Sequence, residues 1–223
     1  MANPPRRDWK ALGEALGVFA LIMLYIWSVR FYFPWAALPV LAFVAGTHFV
    51  HGESPRHLGF GWAGLRAAFP RVMPWVAALV LALAAAGLLR GSVRKSTLPQ
   101  ALLGVLIYSV WGLFQQYLLN AYFVNRLAEF QGHTRGQFVP LAAAILFGLA
   151  HLPNWFLAPV TFAGGYICAR LYLAHRSLYV LALAHGLVGF ALLQVVPDSV
   201  TAHFVIGPRY LLPRYVPPGG FLQ

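Results

Sequence analysis

LPQALLGVLIYSVWGLFQQYLLNAYFVNRLAEF, residues 98–130, is apolar enough over most of its length to cross a bilayer as a helix, yet Gln115, Gln116 and Asn120 lie within it. An amide without a partner in hydrocarbon costs several kcal/mol, so these three side chains are expected to point into a helix bundle and not into lipid. Gln116 and Asn120 are four residues apart and share one helical face, while Gln115 is turned about 100° to one side. Packing alone rarely asks for three amides within six residues.

The rest of the chain supports the reading of this stretch as a span. Hydrophobic residues make up 60% of the 223 and charged residues 9%. Mean hydropathy is +0.69. That leaves too little polar surface to cover a soluble globule, and the expected fold is all-α, a polytopic transmembrane bundle of about seven helices. The expected spans run from about Trp9 to Phe33, Trp35 to Val50, Val72 to Leu89, Leu98 to Phe130, Gln137 to His151, Trp155 to His175 and Leu178 to Val196. Together they predict a single membrane domain over 1–223, with a Pro/Gly-rich tail at 197–223 that ends near Pro217-Pro218-Gly219-Gly220. Between the second and third spans, His51 to Arg71 reads as a loop plus a short interfacial segment, with Trp62, Leu65 and Phe69 toward lipid and Arg66 toward water.

The net charge of +11 does not indicate a nucleic-acid partner, because the basic residues are scattered through the connections and form no aromatic-interleaved patch. They read better as topology signals. With the N-terminus inside, Arg6, Arg7, Lys10, Arg56, Arg66, Arg71, Arg126, Arg135, Arg170 and Arg176 fall inside, against Arg30, Arg90, Arg94, Lys95, Arg209 and Arg214 outside. The Arg90, Arg94 and Lys95 group dissents from that orientation. The first apolar run is too long for a cleaved signal core and reads as an anchor. Cys168 is the only cysteine, which excludes an intrachain disulfide. The expected setting is the cell membrane, with the lipid bilayer as the first partner.

Two histidines join the amides as candidate site residues. His151 closes the fifth span one turn after Phe147, and His185 sits inside the seventh, four residues before Gly189. An imidazole can donate and accept at once, which suits water activation or oxyanion stabilisation. No metal or other cofactor is expected. His151 with His185, or His48 with His51, would supply pairs of ligands, but glutamine is a poor ligand and no acidic residue closely neighbours Gln115, Gln116, His151 or His185 in sequence. His48 and His51 read as an interfacial pair at the end of a span.

Gln115-Gln116-x-x-x-Asn120, Phe147-x-x-x-His151 and His185-x-x-x-Gly189, in that order over about residues 98–195, resemble the three signature motifs of the CAAX-protease and bacteriocin-processing (CPBP, or Abi) intramembrane proteases. The family pattern is Glu-Glu-x-x-x-Arg, Phe-x-x-x-His and His-x-x-x-Asn. The resemblance implies that Gln115 and His151 stand at the water-activating positions, Gln116 at the second glutamate and Asn120 at the arginine. It implies that His185 and Gly189 stand at the oxyanion positions, and that Phe147 and Gly189 border the substrate cavity.

Four of these positions depart from the pattern, and the departures bear on mechanism. A neutral amide has no useful basicity near pH 7, and the five acids Asp8, Glu14, Glu53, Glu129 and Asp198 lie at helix ends or loops. Replacing both carboxylates also removes the need for a buried arginine, so the changes form one coherent set. Three readings follow. In the first, a CPBP-like protease or hydrolase keeps His151 as base. In the second, a non-proteolytic relative uses the cavity to bind a lipid, a prenyl group or a membrane-embedded peptide client. In the third, the bundle is structural or a transporter and the motif match is fortuitous.

Overall fold

The computed structural model of the protein describes residues 7–132 and 136–212. Arg6, Arg135, Arg214 and the Pro217-Pro218-Gly219-Gly220 end of the tail lie outside the described residues. Among those described the chain is helical, with one isolated bridge between Phe60 and Ser177. The principal helices are α1 (Trp9–Trp27), α2 (Ala37–Val50), α3 (Trp62–Arg90), α4 (Leu98–Gln116), α5 (Asn125–Gln131), α6 (Phe138–Leu149), α7 (Leu157–His175) and α8 (Leu178–Val195). A π-helical stretch, Tyr117–Val124, joins α4 to α5, so that Leu98–Phe130 is one uninterrupted apolar helix of 33 residues.

Among the described residues, five helices are long and apolar enough to cross a membrane: Trp9–Trp27, Trp62–Leu89, Leu98–Phe130, Leu157–His175 and Leu178–Val195. The second and fifth expected spans form shorter apolar helices, Pro34–Val50 and Phe138–Leu149. Large apolar side chains such as Leu81, Leu102, Leu106, Val110 and Ile167 are exposed along these helices, as a lipid-facing surface requires. The chain is a multi-pass membrane protein. One expectation changes. Residues 62–71 are not a separate interfacial segment, because α3 begins at Trp62 and continues through Pro70 and Pro74. Prolines that would break a soluble helix are tolerated in a membrane helix. Leu65 accordingly packs inward, against a core of Ala68, Val72, Val76, Val180 and Ala184, while Trp62 and Phe69 stay exposed.

The chain divides into two compact units. The first combines Met1–Ser54, Tyr122–Ala169 and Ala202–Gln223. Here α1 starts on Asp8, whose carboxylate accepts from the backbone N–H of Lys10 and Ala11 and so satisfies two orphan donors. Its buried face, Ala11, Ala15 and Val18, has helical spacing, and Trp9 and Phe19 make edge contacts with Phe130 and Phe123. The second unit, Pro55–Ala121 with Arg170–Thr201, is built around α8, against which α3 and α4 pack.

Candidate functional site

In the second unit, α4 and α8 approach closely because small residues face each other. A Cβ on Gly112 would lie 3.0 Å from the His185 Cβ, and a Cβ on Gly186 would collide with Ser109. Glycine at both positions lets the helix backbones meet at the depth of the motif side chains.

That approach brings Gln116, Asn120 and His185 together. Gln116 and Asn120 are buried, with 1% and 0% of their surfaces exposed. Asn120 Nδ2 donates to Gln116 Oε1 at 2.6 Å, and Gln116 Nε2 lies 3.3 Å from His185 Nδ1. An amide NH₂ can only donate, so Nδ1 accepts and the imidazole carries its proton on Nε2. The two amides therefore fix His185 as a neutral ring with an Nε2–H donor. Asn120 Oδ1 is buried with no hydrogen-bond partner among the described residues, leaving an acceptor inside the site. Asn120 also belongs to the π-helical turn, a local geometry that recurs at functional sites. Gln115 is half-buried and does not join this set.

Gly189 is four residues beyond His185 on α8. A Cβ there would come within 3.0 Å of Tyr108 Cδ1. The Tyr108 ring thus occupies the room where an asparagine side chain would begin, a role its sequence position did not announce.

His151 and Phe147 belong to the first unit. His151 is 6% exposed, just beyond the end of α6, and its Nδ1 lies 2.6 Å from the Phe147 carbonyl oxygen. A carbonyl only accepts, so Nδ1 carries the proton and Nε2 holds the basic lone pair. The Phe147 ring meets the imidazole edge-on at 4.7 Å. Gly165 of α7 packs against Phe147 and Gly148 of α6 against Phe162, which fixes the helix end that presents the histidine. Asn154, fully buried, holds the next turn: its Oδ1 accepts from the N–H of Phe156 and Leu157, and its Nδ2 donates to the Val205 carbonyl. The asparagine three residues before α7 was the sequence signal for that cap.

The same unit contains an ionic cluster that sequence reading dispersed among helix ends. Arg126 is completely buried. Its Nη2 donates to Glu53 at 2.8 Å, its Nη1 to both oxygens of Glu129 at 3.0 and 3.1 Å, and its Nε faces Glu14 at 3.1 Å. His48 Nδ1 donates to Glu53 at 2.6 Å, Asn125 Nδ2 donates to the same carboxylate, and His51 Nε2 lies 3.2 Å from Glu14. His48 and His51 are thus members of this cluster. Burial pushes the Glu53 carboxyl up, but the hydrogen bonds and charge of His48 and Arg126 outweigh it and hold the group down at about 2. The signals in sequence were Arg126 three residues before Glu129 and two histidines just ahead of Glu53. Among the described residues no group of three His, Cys, Asp or Glu side chains is arranged to hold a metal ion.

Comparison with known families adds one finding. Residues 96–191 match the model described as Rce1-like, type II CAAX prenyl endopeptidase Rce1-like, a segment that contains all three motifs. No curated protein and no solved structure matches the chain.

Proposed function

We propose, from the match of residues 96–191 to the Rce1-like family model, that this multi-pass, CAAX-protease-like protein of the cell membrane binds a carbonyl-bearing ligand without cleaving it. The ligand is a membrane-embedded peptide client, a prenylated chain end or a lipid. The observation that supports this reading is the neutral set Asn120, Gln116 and His185, in which the amide of Gln116 meets Nδ1 of the histidine that matches the family's oxyanion position and so leaves the ring proton on Nε2. Such a donor binds a carbonyl oxygen well. Hydrolysis needs in addition a base to take the proton of water, and neither Gln115 nor Gln116 can act as one. Nor does a carboxylate stand in for them. Glu14, Glu53 and Glu129 are paired with Arg126, Asp198 with Arg94, and Asp8 caps α1.

The test uses the purified protein in nanodiscs with a farnesylated CAAX peptide that bears a photoreactive group. Crosslinking to the wild type, lost in His185→Phe and Gln116→Leu, with the peptide recovered at full length, is the expected result. Absence of crosslinking would overturn it.

A second reading has one observation in its favour. The Phe147 carbonyl orients His151 with a basic Nε2, as a general base requires. In that case the wild type shortens the peptide, His151→Ala abolishes the cleavage and a chelator leaves it unchanged.

A further inference from the structure

The second unit holds a cavity of about 270 Å³ that includes none of the motif residues. Val80, Ala84 and Leu88 of α3 line one wall, and Leu187, Phe190 and Val195 of α8 line the other. Val80, Ala84 and Leu88 are successive turns of one helical face, so the trough runs for roughly 12 Å along α3. Its lining is aliphatic and aromatic, with Gln194 the one polar residue, and it lies between helices long enough to cross a bilayer. An apolar chain is the occupant such a wall selects.

The connection that follows α3 adds charge. Leu88 and Val93 border the cavity at the end of α3, and the cations Arg90, Arg94 and Lys95 are interleaved with them in the chain. This connection is held against the end of α8: Ser92 Oγ donates to the Val195 carbonyl at 2.7 Å and the Arg94 N–H to the Gln194 carbonyl at 2.9 Å. Arg94 is matched by Asp198 at 2.6 Å, so the excess positive charge rests on the exposed Arg90 and Lys95. A neutral isoprenoid or a bare acyl chain has no use for two exposed cations in the connection that borders the cavity. A lipid with a phosphate has.

We infer that this trough is a binding site for an anionic glycerophospholipid, with one acyl chain between α3 and α8 and the phosphate against Arg90 and Lys95. The assignment explains why Arg90 and Lys95 dissent from the orientation that the other loop charges favour: their placement answers to a ligand, and that of Arg94 to Asp198. It is independent of the carbonyl-binding reading of the motif site.

The experiment is lipid binding to the delipidated protein in detergent, followed by native mass spectrometry and thermal shift, with phosphatidylglycerol and phosphatidylcholine of identical acyl chains. Each exposed cation near a phosphate contributes about fivefold in affinity. Phosphatidylglycerol is therefore expected to bind the wild type about 25-fold more tightly, and Arg90→Gln/Lys95→Gln to erase that preference while leaving phosphatidylcholine binding unchanged. Ala84→Trp, which fills the trough, should weaken both lipids, and glycerol phosphate alone should give no shift. Equal binding of the two lipids by the wild type, or a preference that survives the double substitution, would overturn the site. The double substitution touches only exposed side chains, so this arm remains decisive if Ala84→Trp does not fold.

Discussion

The cluster around Arg126 and the set around Gln116 meet the same demand in opposite ways: polar groups buried in apolar helices must find partners. Arg126 is neutralised by three carboxylates drawn from α1, the segment after α2, and α5. Gln116 pairs with two uncharged groups on its own helical run and on α8. A charged cluster is held by strong interactions, and it fails badly when one member is lost. A neutral set is held weakly and leaves capacity for a ligand, as the unpartnered Asn120 Oδ1 does. Under the proposed function, the first cluster serves stability and the second recognition.

The largest effect should come from the ionic cluster. Arg126→Met would leave three carboxylates without their cation and is expected to lower the unfolding free energy by about 3 to 5 kcal/mol, read as a fall in melting temperature in detergent. If the melting point barely moves, the cluster is not what holds α1 to α5. Acid should act on the same residues. Glu53 titrates at about 2 in the folded protein against an ordinary 4.5, so its contribution is complete above pH 4.5 and disappears as the pH falls toward 2. Glu53→Gln should flatten the melting temperature over that window.

Smaller changes are expected in the neutral set. Gly189→Asn restores the family residue but drives its side chain into Tyr108, with an expected loss of about 1 to 3 kcal/mol. Pairing it with Tyr108→Ala should recover most of that loss, and additivity of the two would mean that they do not compete for one space. Gln116→Leu should cost least, about 0.6 to 1.7 kcal/mol, because membrane amide contacts are individually weak. Its larger consequence should be for ligand capture. A loss as large as that of Arg126→Met would erase the distinction between the two clusters.

Much of this contrast was legible in the sequence, for identifiable reasons. Leu98–Phe130 was read to its ends because apolar length is a strong signal, and the Gln116 and Asn120 pairing followed from their four-residue spacing. Trp62–Phe69 was harder, since Gly61, Gly64 and Pro70 carry the same composition in a loop as in a tolerated membrane-helix start. The Arg126 cluster was legible only at Glu129, three residues on, because Glu53 lies 73 residues from Arg126 and meets it only through tertiary packing. Tyr108 escaped for a related reason. Nothing in its own neighbourhood reveals that it fills the space beside Gly189 on another helix.

Cleavage of a membrane-embedded farnesylated CAAX reporter, measured by mass spectrometry for the wild type and for Gln115→Glu/Gln116→Glu/Asn120→Arg, bears most directly on the claim that a neutral site replaces a catalytic one. The wild type should leave the reporter whole and the charge-restored protein should shorten it. A wild type that cuts the reporter, and loses that activity when the carboxylates return, would contradict the account.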